Sequence, residues 1–154
     1  MIKLDEIASG FSYIGSSVKE CNISNSIIGL GSDAQYALEL DFSTCLLPLD
    51  KEESFRRGRV LLSIGCKVTV EADESAKTNI DFIIEGEFSA PNNMNDETFT
   101  KMLMVNGVSA LYGIARGKLE VITALTYHNG KISFPMINVL ELLKEKQEQD
   151  DKKK

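Results

Sequence analysis

His128 is the only histidine in 154 residues, and it stands beside Asn129-Gly130, a turn signal. To act as a general base it would need a nucleophile or carboxylate within about 3 Å, and no cysteine lies at a telling spacing from it. Cys21, Cys45 and Cys66 would each offer a nucleophile if the thiol were activated. Cys66 falls on the oily side of an alternating run and reads as core, while Cys21 and Cys45 lack a histidine or acid placed to activate them. Three widely spaced cysteines without a Cys-x-x-Cys pair also disfavour a disulfide framework or a structural zinc site. Gly29-Leu30-Gly31 is a lone Gly-x-Gly, with no third glycine and no following helix to cradle a phosphate. These residues point to no catalytic centre, metal or cofactor, so the expected activity is binding, not catalysis.

Two other groups have the residue types that binding needs. Glu39, Asp41, Glu71, Asp81, Glu85 and Glu87 project from one face if the strands that carry them pair, and Asp73 with Glu74 cap the hairpin between two of them. Such a face is either a solvated surface that resists edge aggregation or a docking surface for a basic partner. The second group is apolar: the loop Ile27-Ile28-Gly29-Leu30 and the segment Phe134-Pro135-Met136-Ile137. Both are core or oligomer contacts on one reading, and an open groove for extended apolar peptide on the other. Methionine and branched side chains suit such a groove because they accept partners of varied shape.

The elements that position these residues are legible as periodicities. Val60, Leu62, Ile64, Cys66, Val68 and Val70 alternate with polar residues from Arg59 to Glu71, which predicts a strand of roughly 40 Å. After a polar turn, 72–77, a second alternating run with Ile80, Phe82, Ile84 and Phe88 completes a long antiparallel hairpin. Gln35 to Phe42 predicts a third strand, and a weaker one lies between Phe11 and Ile23. Pro48 to Arg57 reads as a connection. From Asp96 the period becomes helical. A short amphipathic piece reaches Met104, and a long apolar helix follows in which Val108, Leu111, Tyr112, Ala115, Leu119 and Ile122 share one side while Ala110, Ile114, Val121 and Leu125 occupy the other. One sheet can cover only one side of a helix, so those six residues are expected at an oligomer interface. Asn138 with Glu141 three residues later forms a capping pair that starts a last helix through about Gln149. The expected fold is α+β: a four-stranded antiparallel sheet followed by two C-terminal helices. Residues 1–147 read as a single domain, and 148–154, without an apolar residue, as a disordered charged tail.

Seventeen basic and 23 acidic residues give a net charge of −6, which repels phosphate backbones and anionic lipid and disfavours nucleic acid and membrane surfaces as partners. Met1 to Glu6 is acidic early and is not read as a signal peptide, and no run is long enough for a membrane helix. The expected location is the cytoplasm.

Taken in order, two strands flanking a crossover loop, the long hairpin at 59–89, a helix ending in Asn129-Gly130, and Phe134-Pro135 leading to Ile137-Asn138-Val139 resemble the SecB family of export chaperones over roughly Lys19 to Lys146. The resemblance implies a holdase that works without ATP, a tetramer built as a dimer of dimers, with unfolded or precursor chains held in apolar grooves. It maps the groove onto Ile27, Ile28, Leu30, Tyr36, Phe134, Met136, Ile137, Val139 and Leu142. It also implies docking of the SecA export motor on an acidic face, mapped onto Glu20, Glu71, Asp73, Glu74 and Glu85. The approach to the last helix is about three residues shorter than in the family, Met136 stands where the family has proline, and the chain ends in three lysines. These departures resemble divergent relatives dedicated to one client, such as an antitoxin. A non-chaperone oligomeric scaffold is the remaining alternative.

Overall fold

The computed structural model describes residues 10–49, 54–71 and 73–152, leaving aside the side chains of Glu74, Asp150 and Lys152. Four strands, β1 (Ser12–Asn25), β2 (Ala34–Leu46), β3 (Phe55–Val70) and β4 (Asp73–Pro91), form one antiparallel sheet in the order β1-β4-β3-β2. The helical residues follow: α1 (Asp96–Met102), a π-helical turn (Leu103–Gly107), α2 (Val108–Thr126) and α3 (Val139–Lys152). This is the α+β arrangement expected, with the long helix interrupted by the π turn.

Period two explains the sheet. On β3 and β4 the buried residues are alternate ones: Val60, Leu62, Ile64, Cys66 and Val68 on one strand, and Ile80, Phe82, Ile84 and Phe88 on the other. The register sets Leu62 opposite Ile84 and Cys66 opposite Ile80, so both rows face the same side. Arg57, Arg59, Lys67, Glu85 and Glu87 take the opposite side by the same alternation.

The hairpin differs from expectation at its tip. Val70 pairs with Asp73 and the next pair is Thr69 with Lys77, so residues 74–76 are looped out of the β3 ladder inside a strand that was expected to begin later. Polar side chains there serve the backbone: Asp73 Oδ1 accepts the Ser75 N–H at 2.9 Å, and Ser26 Oγ accepts the Lys77 N–H at 2.9 Å. Strand β3 likewise begins at Phe55, inside the segment expected to be a connection, because Phe55, Arg56 and Arg57 continue the pairing with β4.

The helices cover one side of this sheet. Asn95 caps α1, its side chain accepting the Thr98 N–H at 2.8 Å. Phe99, Leu103, Val108, Leu111, Ala115 and Leu119 are all fully buried. Residues five apart on a regular α-helix point about 140° from each other. The π turn, in which the Val108 N–H donates to the Leu103 carbonyl, brings Leu103 and Val108 onto the same side. Helix α3 continues to Lys152, past the expected end at Gln149, so residues 148–152 of the expected tail are helical. Lys153 and Lys154 lie outside the described residues. No helix among the described residues is long and apolar enough to cross a membrane.

Two glycines set how close α2 comes. A Cβ on Gly86 would sit 2.8 Å from Leu111 Cδ1, and one on Gly107 would sit 2.9 Å from Val60 Cγ2. Both neighbours are fully buried and have little room to retreat. Gly86→Ala is therefore expected to destabilise the protein by about 1–3 kcal/mol through overpacking. The measurement is a lower urea midpoint at unchanged slope.

Candidate functional site

After α2 the chain turns back and retraces the helix as an irregular segment before entering α3. Ile132 N–H donates to Thr123 Oγ1 at 3.1 Å, and Tyr112 Oη donates to the Pro135 carbonyl at 2.7 Å. Lys131 Nζ pairs with Glu120 at 2.8 Å, and Arg116 reaches the Met136 sulfur. The Lys131 hydrogen bond, first among its causes, holds the Glu120 carboxyl below its ordinary range. Burial raises the Tyr112 phenol, which favours the neutral O–H donor.

The crossover loop between β1 and β2 is tied to the start of this segment. His128 N–H donates to the Ile28 carbonyl at 2.7 Å and Leu30 N–H to the Asn129 carbonyl at 3.3 Å. Gly130 lies at φ 78, the left-handed region, against Leu30. At Gly29 a Cβ would fall 1.9 Å from Asn129 Oδ1, so glycine is what lets the asparagine approach. Asn25 braces the loop from the other side, its amide donating to the Ile27 carbonyl and its Oδ1 accepting from the Ile27 N–H.

This bracing sorts the nine expected groove residues into three sets. Ile27, Phe134 and Val139 are buried in the core, which corrects their placement in an open groove: the loop and the return segment use them as anchors. Leu30, Ile137 and Leu142 are half-buried against that core. Ile28 is 81% exposed, Met136 82% exposed, and Tyr36 is exposed on edge strand β2. Leu38 and Leu140 are exposed as well, and neither was among the expected groove residues. Leu38 alternates in phase with Tyr36, a signal that could have found it.

The expected oligomer residues also need correction. Val108, Leu111, Tyr112, Ala115 and Leu119 are buried within their own chain, and Ile122 is half-buried. The side of α2 that the described residues leave open is the other one, with Ala110, Gly113, Gly117, Val121, Ala124 and the 83% exposed Leu125. Beside it, edge strand β1 exposes Tyr13, Val18 and Ile23, which its register places on the helix side. Val18 with Ile114, Val121 and Ile122 lines an open trough of about 590 Å³ floored partly by Gly113 and Gly117.

The outer face of the sheet is mixed in charge around Glu85 and Glu87, whereas Glu39, Asp41 and Asp81 line one open cavity of about 580 Å³. Glu85 lies 3.1 Å from Lys19, and Glu87 lies 3.4 Å from Arg57 and 3.1 Å from Arg59. Partly exposed pairs of this kind add little stability, but they occupy the carboxylates. Glu20 accepts from the Asn22 amide midway along edge strand β1, whereas Glu71 and Asp73 are at the hairpin tip. Asp73 is held below its ordinary range by hydrogen bonds from Ser75. Asp73 pairs with Val70 and Glu85 with Leu61, nine residues apart along β3, roughly 30 Å at the rise of a strand. The docking set thus does not gather into one patch, and the Glu74 side chain lies outside the described residues.

His128 is exposed at the turn. Among the described residues no three histidine, cysteine or acidic side chains converge as a metal site would require. No protein-family model matches the chain, and no curated protein matches it in sequence. Among solved structures it is similar to the SecB-like chaperone Rv1957 of Mycobacterium tuberculosis, determined in complex with a ChAD peptide from the HigA1 antitoxin Rv1956. The TM-score is 0.61 at 12% identity, over 83% of this chain and 91% of that one. It is also similar to a Streptococcus agalactiae protein of unknown function, with TM-score 0.53 and 11% identity over 81% of this chain and 96% of that one. At such identities the likeness is one of fold, and the fold is SecB-like.

Cys66 faces the core, and burial pushes its thiol up to about 11, whereas Cys45 is exposed. Alkylation by iodoacetamide at pH 8, read by mass spectrometry, is expected to modify Cys45 in the native protein and Cys66 only after unfolding in urea.

Proposed function

We propose that this protein is a cytosolic, ATP-independent holdase that binds unfolded or precursor polypeptide through apolar surface. The observation that carries this reading is that Ile28 and Met136 stand almost fully in solvent, on the loop and the return segment of a SecB-like fold. Exposed apolar side chains held on a braced scaffold would bind an extended chain with little ordering cost. Burying one such side chain against a client contributes about 1.5–3 kcal/mol.

The uncovered side of α2 is the surface we assign to self-association, on the way to a dimer or a dimer of dimers. A Cβ added at Gly113 or Gly117 would meet nothing within 4 Å among the described residues, so these glycines would let a second backbone come close.

A reading with one dedicated client, such as an antitoxin, is favoured over general export by two observations. The M. tuberculosis neighbour holds an antitoxin peptide, and the dispersal of the acidic residues supports no collected surface for a SecA-type motor.

Substoichiometric to equimolar protein is expected to delay the aggregation of unfolded clients, read by light scattering. General holdase activity predicts protection across a panel, and a dedicated chaperone predicts protection of one client. Failure with every client, antitoxin-type partners included, overturns the proposal and leaves the scaffold reading. Ile28→Asp combined with Met136→Asp is expected to weaken client binding at least tenfold, given about 1.4 kcal/mol per decade, with the fold unchanged by circular dichroism. Gly117→Arg is expected to shift the mass measured by size-exclusion light scattering to the monomer.

A further inference from the structure

The sequence of α3 gives only its first turns a reason to lie on this fold. Val139 is buried, and Leu142 and Leu143 are half-buried against the core. From Lys144 onward every residue is charged or an amide. Lys144 pairs within the helix, with Glu141 at 3.8 Å, and Glu145, Gln147, Glu148, Gln149 and Asp151 are exposed. Beyond Leu143, the side chain of α3 that the described residues show bonded to another element is that of Lys146.

Lys146 is held at edge strand β2 by three contacts. Its Nζ donates to Asp41 Oδ1 and to the Phe42 carbonyl, and it lies 4.8 Å from the centre of the Phe42 ring. Asp41 Oδ1 also accepts the Phe42 N–H at 2.8 Å. Both backbone groups of Phe42 are therefore taken by side chains.

Strand alternation shows what this closes. In an antiparallel ladder the N–H and C=O of one residue point to the same side, and the side changes at each residue. Leu47 donates its N–H to the Arg57 carbonyl, toward β3, whereas the backbone groups of Phe42 meet side chains on the open side. The register of β2 with β3 is unbroken from Ala34 to Leu46, so Tyr36, Leu38, Leu40 and Thr44 share the outward phase of Phe42. Lys146 closes that edge at Phe42. Just beyond it, Leu143 and Gln147 face Ser43, Thr44 and Met104 across a cavity of about 190 Å³. A helix laid over an edge strand is one way a sheet avoids pairing with other chains.

We propose that the distal half of α3 is a strap locked to the β2 edge by Lys146, and that loss of this one cation frees residues 145–151 while the sheet and the first turn of α3 stay in place. No apolar stripe holds the distal half to the fold, and a short helix without tertiary contacts is marginal in water, so the freed segment also unwinds. The lock responds to ionic conditions: the Lys146 and Asp41 side chains keep 30% and 75% of their surface in solvent, where salt weakens an ion pair. The length of open β2 edge thus depends on whether one ion pair is made. This inference uses neither the holdase reading nor the self-association surface.

The test is amide hydrogen exchange, read by mass spectrometry on the full chain. Lys146→Gln is expected to speed exchange at residues 145–151 by at least about tenfold, because a charge-assisted hydrogen bond is lost, and to leave 139–143, β3 and β4 unchanged. Asp41→Asn keeps an oxygen for the Phe42 N–H and does not alter α3. It is expected to give the same pattern more weakly. Raising NaCl to about 1 M, where screening acts within a few ångströms, is expected to move the parent protein toward the Lys146→Gln pattern and to leave that variant as it is. Unchanged exchange in Lys146→Gln overturns the proposal, and so does a parent protein whose residues 145–151 already exchange as fast as an unstructured peptide. Loss of protection that extends into 139–143 or the sheet also overturns it, because Lys146 would then support the whole fold and not a strap.

Discussion

The distance between α2 and the sheet is the constraint on which the rest of this structure depends. Gly86 and Gly107 remove the two side chains that would hold helix and sheet apart, and Leu111 and Val60 fill the space. Because the helix lies that low, one row of its residues is wholly consumed by the sheet of its own chain. The opposite row is lifted clear of every described residue. The return segment can then run beside the helix, pinned by Thr123, Tyr112 and Glu120, and its own anchors Ile132 and Phe134 reach the core. An apolar side chain next to an anchored one, such as Met136 beyond Phe134, has no interior left to enter.

The two sides of the sheet divide the work. The covered side is apolar along β3 and β4 except at Arg56 and Thr78, which makes one continuous core. On the other side Arg57 and Arg59 answer Glu85 and Glu87 across neighbouring strands, a cross-strand pairing that offsets those two carboxylates. The exposed apolar residues are therefore confined to the edges, the helix ridge and the loops. Edge strand β1 carries two register shifts, between Tyr13 and Gly15 and between Val18 and Glu20, and such bulges discourage indiscriminate pairing with other chains.

Much of this was legible in the residues alone. The alternation from Val60 to Val70 and from Ile80 to Phe88 gave the hairpin and its buried row, and Asn138 marked the start of α3, where its side chain accepts from the Leu140 N–H. Periodicity could say that α2 is oily on two sides but not which side the sheet takes, and the assignment of Leu111 and its row to an interface was wrong for that reason. Similarly, Ile27 and Ile28 are indistinguishable by type. Only the Asn25 bracing and the His128 hydrogen bond turn one inward and the other outward. The acidic residues were read without their neighbours, since cross-strand partners such as Arg59 opposite Glu87 exist only once a register is known.

The π turn has a consequence for how this chain can change. A regular α-helix advances about 100° per residue, so Leu103 and Val108, five apart, share one side only because the π turn takes up one residue more than an α turn does. Loss of one residue between them would leave the pair at the i, i+4 spacing that shares a helix face, with the buried row of α2 still toward the sheet. The turn thus absorbs a change of one residue in chain length that a continuous α-helix would convert into a rotation of its buried row.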